Sequence, residues 1–366
     1  KPVALFLLEA HGYAKRMIRS VFTCCCFSRR EKPDEDAPTT PGVPSRGARE
    51  PVLAEELASH DAAGALKEID SRSHHPARWK QAFAEAGDGT AKPDMYKIRR
   101  LRMLIWQQTE KRIREVQQCS PETLGEVQTR MFPARPTVSQ NGLETGVTQV
   151  EVVEMDVLDK AQEYAKKRQS VAVLNMAAAS FPGGGFRTGA GAQEENLHRR
   201  SDLYRFLEPF KDSLYPIQKD ACLLSPGVTI LRGSEKDGYP FLDEPFKVTI
   251  LTCAALQRPA VSATSFGRHI TYKHPEEEAC MRQKVRAILN AAERAGCDAC
   301  VLSAFGCGAF GNPPEVVARL FREELKAVKL QQVSFCIFND HNAGRAHNPR
   351  GNYLPFKEAF AAEPGS

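Results

Sequence analysis

The sequence predicts an α/β protein, a three-layer arrangement in which a mostly parallel central sheet carries helices on both faces. Two observations lead there. After Asn141, apolar strand-like runs alternate with amphipathic helical runs, the pattern of strand–helix–strand units. Two glycine-rich loops each come directly after such an apolar run, where sheets of this class present their ligand sites at the carboxyl ends of strands.

Taken in chain order, residues 1–75 differ from the rest. SRREKPDEDAPTTPGVPSRGAREP is rich in proline and charge and has almost nothing to bury, so this region is expected to be disordered. Ahead of it, Cys24, Cys25 and Cys26 stand among aromatic residues beside Arg29 and Arg30. Such a cluster is a candidate for S-acylation and, through it, for membrane contact. From Pro76, ARWKQAFAEA and MYKIRRLRMLIWQQTEKRIREVQQ place apolar residues at i, i+3 and i+4. The spacing predicts a helical extension over 76–140, packed on the domain at 141–366, with KIRRLR on a solvated helix face.

That domain opens with VTQVEVVEM as a strand and LDKAQEYAKKR as a helix. SVAVLNMAAA reads as a strand, followed by the first glycine loop and the helical NLHRRSDLYRFL. FKVTILTCAAL is a strand and EEACMRQKVRAILNAAERAG a long helix. DACVLSAFGCGAFGNP is a strand running into the second loop, PPEVVARLFREEL a helix and VSFCIFND a last strand.

Composition narrows the classes. The chain has 366 residues, 42% hydrophobic and 26% charged, which suits one large or two small globular domains. A net charge of +5 over this length fits a polyanionic partner but is weak support for binding duplex nucleic acid. No run approaches the roughly 20 apolar residues needed to cross a bilayer. Several of the eleven cysteines sit in apolar text, as reduced buried thiols do, which favours a cytosolic or nuclear protein beside any acylated membrane pool. A monomer is expected. Cys297 and Cys300 form half of a zinc motif with no second half in range, so no metal site is expected.

The first loop carries Gly183, Gly184 and Gly185, seven spacer residues, then Gln193, Glu194 and Glu195. Glycines allow successive N–H groups to converge on phosphate oxygens, and the helix that comes next offers its positive end. The second loop, from Gly306 through Cys307, Gly308 and Phe310 to Pro313, repeats the arrangement. Neither matches GxxxxGK[ST], which disfavours nucleoside triphosphate hydrolysis. Two adjacent carboxyls beside an anion site sit where negative charge is unfavourable. A carboxyl in that position has its pKa raised and suits general acid work near neutrality, as glycosidic cleavage requires. His198 is expected on the exposed face of its helix, the alternative being that it faces the site as a second titrating group. Cys307 reads as a small residue in a crowded turn, and His341 and His347 flank a loop near the last strand.

GGG followed by QEE, within VLNMAAASFPGGGFRTGAGAQEENLHRRSDLY, resembles the signature of poly(ADP-ribose) glycohydrolases of the compact microbial type. The resemblance continues through LLSPGVTILRG, VTILTCAAL, LSAFGCGAFGNPP and IFNDHN and covers roughly residues 76–360. It implies a macrodomain-like fold and hydrolysis, without cofactor or metal, of the ribose–ribose O-glycosidic bond at the ends of poly(ADP-ribose) on ADP-ribosylated proteins. Glu195 would be the general acid and then the base toward water, with Glu194 holding ribose hydroxyls. Gly183, Gly184, Gly185 and Gln193, together with Gly306, Gly308 and Phe310, would line the ribose and diphosphate, and Asn175 would order the ribose pocket. Ala178 departs from the Asn or Ser common in the family and removes one ribose hydrogen bond. Removal of single ADP-ribose units, or silent ADP-ribose binding, are the alternatives. Two carboxylates beside a diphosphate argue against the latter.

Overall fold

The computed structural model describes residues 74–87, 92–135, 149–263, 269–340, 342–345 and 348–361, all within the compact unit Arg46–Ser366. The expectations for residues 1–73, including the Cys24, Cys25 and Cys26 cluster, lie outside them, as do those for His341 and His347.

Helix α1 (Pro76–Glu85) opens on proline, whose missing N–H is harmless at that position. Helix α2 (Met95–Cys119) is capped by the Asp94 carboxylate, which accepts from the Lys97 amide at 3.0 Å. There follow strands β1 (Arg130–Pro133) and β2 (Gln149–Val153), helix α3 (Val157–Lys166) and strand β3 (Val171–Met176). Next come helices α4 (Gln193–Arg200), α5 (Leu203–Leu207) and α6 (Lys211–Leu214), then strands β4 (Ala221–Arg232) and β5 (Phe241–Cys253). A small antiparallel pair, β6 (Val261–Ala263) with β7 (Ile270–Tyr272), precedes α7 (Pro275–Ala295), β8 (Ala299–Leu302), α8 (Pro314–Leu325), β9 (Gln332–Cys336) and α9 (Tyr353–Ala359).

The main sheet runs β1-β4-β5-β3-β8-β9-β2. From β5 to β2 its neighbours pair in parallel, whereas β1 with β4 and β4 with β5 are antiparallel. Side-chain alternation along β3 divides two cores. Ala172 and Leu174 point into a layer with α7, α8 and Phe356 of α9, and Val171 and Val173 into one with α3, α4 and α5. The three-layer α/β expectation thus corresponds to two apolar cores separated by one sheet.

The structure differs from the sequence reading in several places. Strand β4, the short pair β6 and β7, and helix α6 are absent from that reading, LLSPGVTILRG being interrupted by proline and glycine. Strand β1, inside the segment read as helical, edges the sheet against β4; four residues ending in proline are too short to show alternation. Helix α9 comes after the last strand unforeseen. KIRRLR is not simply a solvated face, because Arg102 is buried and makes a bidentate pair with Glu235, both contacts at 2.9 Å. Its partner lies 133 positions away, between β4 and β5, where no local pattern would reveal it.

Candidate active site

Strand β3 pairs with β5 as far as Met176 but with β8 only as far as Val173, so its last rungs on the β8 side are open. Gln193, the first residue of α4, fills them. Its Nε2 donates to the Leu174 carbonyl at 2.6 Å and its Oε1 accepts from the Met176 amide at 2.8 Å. Gln193, expected to line the ligand site, thus spends one bond at each end of its amide on the strand backbone. The next two residues are thereby fixed at the carboxyl edge of the sheet.

Glu194 and Glu195 are 3% and 8% exposed, and the glycine loop wraps around them. Glu194 Oε2 accepts from the Ala178 amide at 2.7 Å and its Oε1 from the Gly183 amide at 3.0 Å. Glu195 Oε1 accepts from the Gly185 amide at 3.0 Å. Gly184 sits between at φ +52°, where a Cβ would stand 2.5 Å from Glu195 Oε1. The N–H groups of Gly183 and Gly185, expected to face phosphate, are therefore taken by the two carboxyls. A nest of amides is the natural partner for buried carboxyl oxygens, whichever molecule carries them.

Burial pushes the Glu194 carboxyl up to about 8, with the neighbouring Glu195 adding to the effect. The Ala178 and Gly183 amides and the Asn175 side chain pull the other way. His198 is not on an exposed face; it is fully buried with Nδ1 at 2.9 Å from the Glu194 carbonyl. Its helix packs against α2 and the loop, and the Phe186 ring lies over the imidazole with centroids 4.7 Å apart. Burial lowers its pKa to about 4, and the Arg187 and Arg199 charges reinforce this.

Four buried polar atoms around this loop have no hydrogen-bond partner among the described residues: Asn175 Oδ1, Glu195 Oε2, His198 Nε2 and the Tyr215 hydroxyl. Buried groups are nearly always paired, so such a concentration marks a place where something else is to be bound or moved. Asn175 is itself wholly buried at the end of β3, with its Nδ2 donating to Thr252 Oγ1 at 3.2 Å. Tyr215 stands in text with no motif, and the sequence reading does not find it.

The second loop leaves β8, the neighbour of β3 in the sheet. Gly306, Gly308 and the half-buried Phe310 lie in it, and Asn312 closes it. The Asn312 Nδ2 donates to the Gly306 and Leu256 carbonyls at 3.0 and 2.8 Å, while its Oδ1 accepts from the Tyr272 hydroxyl at 2.9 Å. Cys307 is wholly buried in this turn, and burial holds its thiol well above the usual range. Burial likewise raises the Cys300 thiol on β8. Among the described residues no group of three or more His, Cys, Asp or Glu could hold a metal, and no helix is long and apolar enough to cross a membrane.

Residues 103–233, which include the first loop and both glutamates, match the family model "Microbial-type PARG, catalytic domain". Among solved structures, a point variant of poly(ADP-ribose) glycohydrolase from Deinococcus radiodurans, in complex with ADP-ribose, is 30% identical. The match covers 64% of this chain and 94% of that one, with a TM-score of 0.50. The chain belongs to the poly(ADP-ribose) glycohydrolases. The glycohydrolase from Thermomonospora curvata bound to the inhibitor ADP-HPD is 25% identical over 86% of this chain and 100% of that chain, also with a TM-score of 0.50. No curated protein sequence matches the chain. The family model spans α2 to β4.

Proposed function

We propose that this poly(ADP-ribose) glycohydrolase cleaves the ribose–ribose O-glycosidic bond at polymer ends, releasing ADP-ribose, with Glu195 as the group that moves the proton. One observation carries the assignment: Glu195 is anchored at Oε1 by the Gly185 amide while its buried Oε2 has no protein partner among the described residues. A carboxyl fixed at one oxygen and open at the other can deliver a proton to the leaving 2′-oxygen as the ribose becomes oxocarbenium-like. It can then accept one from the attacking water. Glu194, with an amide on each oxygen, holds the loop's shape and presents its remaining lone pairs to ribose hydroxyls. In this reading the bond to be cleaved lies between the two glycine loops, which follow the neighbouring strands β3 and β8.

The test is digestion of automodified polymerase by the wild type and Glu195→Gln in parallel. Disappearance of long polymer with free ADP-ribose as product is expected for the wild type. Turnover should fall by about 10²–10⁴-fold in the variant, with ADP-ribose affinity held within about tenfold. Unchanged turnover in Glu195→Gln removes that residue from the mechanism. Intact polymer with loss of single ADP-ribose units redirects the substrate.

A further inference from the structure

Among the unpartnered atoms around the first loop, His198 Nε2 and the Tyr215 hydroxyl are used by neither the family signature nor the catalytic scheme. Of these two the hydroxyl is the donor, since His198 Nδ1 gives its proton to the Glu194 carbonyl. The Tyr215 segment is attached to the loop: the Ile217 amide donates to the Ala179 carbonyl at 2.8 Å. The preceding residue, Ala178, donates its own amide to Glu194 Oε2. The phenol is therefore tied to the stretch of chain that holds Glu194. Burial, with the Glu194 and Glu208 carboxyls adding to it, holds the phenol above its ordinary range, so the hydroxyl keeps its proton and is a donor. No hydrogen bond joins it to either carboxyl, although a donor among acceptors would normally make one.

We propose that Tyr215 is a further ribose-binding residue, whose hydroxyl donates to the ribose oxygen that Glu194 holds by its O–H. A ribose hydroxyl is both donor and acceptor, so a carboxyl oxygen of Glu194 on one side and a phenol on the other satisfy it completely. The contact also supplies the side-chain hydrogen bond that the methyl group of Ala178 cannot make. The proposal rests on the reading that this loop receives the terminal ribose of ADP-ribose. An alternative without function is unfavourable, because a buried hydroxyl with no partner destabilises a fold and phenylalanine would occupy the same space without that cost.

That contrast defines the experiment: Tyr215→Phe in the full chain, measured for thermal unfolding, for ADP-ribose binding by calorimetry and for polymer turnover. The expected result is a Tm equal to or above wild type, with ADP-ribose bound about tenfold more weakly, the loss of one good hydrogen bond. kcat/KM on polymer should fall by at least as much. Unchanged binding and turnover with a raised Tm would overturn the proposal, since the hydroxyl would then be only a defect in packing. A lowered Tm with binding intact would overturn it too, assigning the hydroxyl to the fold. The binding arm is independent of polymer cleavage. A wild type that binds ADP-ribose without cleaving polymer therefore refutes the glycohydrolase reading and leaves the Tyr215 comparison decisive.

Discussion

Gln193 shows how a single side chain can finish a secondary-structure element. Parallel strands end raggedly, and the last rungs of β3 have lost β8 as a neighbour. The Gln193 amide has the donor and acceptor spacing of a strand rung and takes that place, with Leu174 and Met176 as its partners. Glutamate could not do this, having no N–H to offer the Leu174 carbonyl. Removing the side chain leaves one carbonyl and one amide unpaired at a part-buried edge and frees the first turn of α4. Gln193→Ala is expected to lower stability by about 1–3 kcal/mol in urea unfolding and to reduce turnover beyond what the folded fraction explains. Stability within about 0.5 kcal/mol of wild type, the range of an ordinary surface substitution, would show that the rung contributes nothing.

At the scale of elements, α2 forms the back wall of the catalytic loop. Trp106 meets the Phe186 ring edge-on at 4.5 Å, Phe186 in turn lies on His198, and the Arg187 guanidinium covers Phe186 at 4.5 Å. Gly189 lets the loop touch α2 directly, since a Cβ there, already strained at φ +74°, would collide with the Arg99 carbonyl. Trp106→Ala should open a cavity costing about 3–5 kcal/mol, whereas Trp106→Phe keeps an aromatic edge and most of the activity. Hydrogen exchange at the Gly183 and Gly185 amides should quicken in the alanine variant and not in the phenylalanine one. Equal exchange in both would separate α2 from the loop's rigidity. This wall also marks the limit of what the sequence discloses. Alternating strands and helices, both glycine loops and the QEE triplet are local patterns: the loops follow β3 and β8, and the triplet opens α4. Which helix packs behind a loop depends on contacts such as Arg102 with Glu235, or Trp106 with Phe186, that join residues far apart in the chain. The burial of His198 is hidden from the sequence for the same reason. A histidine amid arginines in NLHRRSD reads as surface, and only the approach of α2 and Phe186 encloses it.

At the scale of the whole molecule, the buried groups around the site make stability depend on pH with opposite signs. His198 and His74 are held neutral, each with its pKa lowered from 6.5 to about 4, so the unfolded chain binds more protons than the folded one between those values. Their contribution is complete above 6.5 and is lost as pH falls through about 4. Glu194, raised from 4.5 to about 8, and Asp202, raised from 3.8 to about 6, behave conversely. Their contribution is complete below the unfolded values and is lost as pH rises through the folded ones. Between about pH 4.5 and 6 the two histidines and two acids offset each other, which gives a plateau. Above 6.5 the histidines are neutral in both states and Asp202 is already ionised, so of these four groups Glu194 alone continues to act. Stability should then decline by about 2 kcal/mol from pH 6.5 to 8, at roughly 1.4 kcal/mol per unit for a single proton. Glu194→Gln removes the titrating group, so its urea midpoint should stay level over the interval in which the wild-type midpoint falls. Parallel profiles for the two proteins would mean that Glu194 is already ionised at pH 6.5 and that burial does not keep a proton beside Glu195.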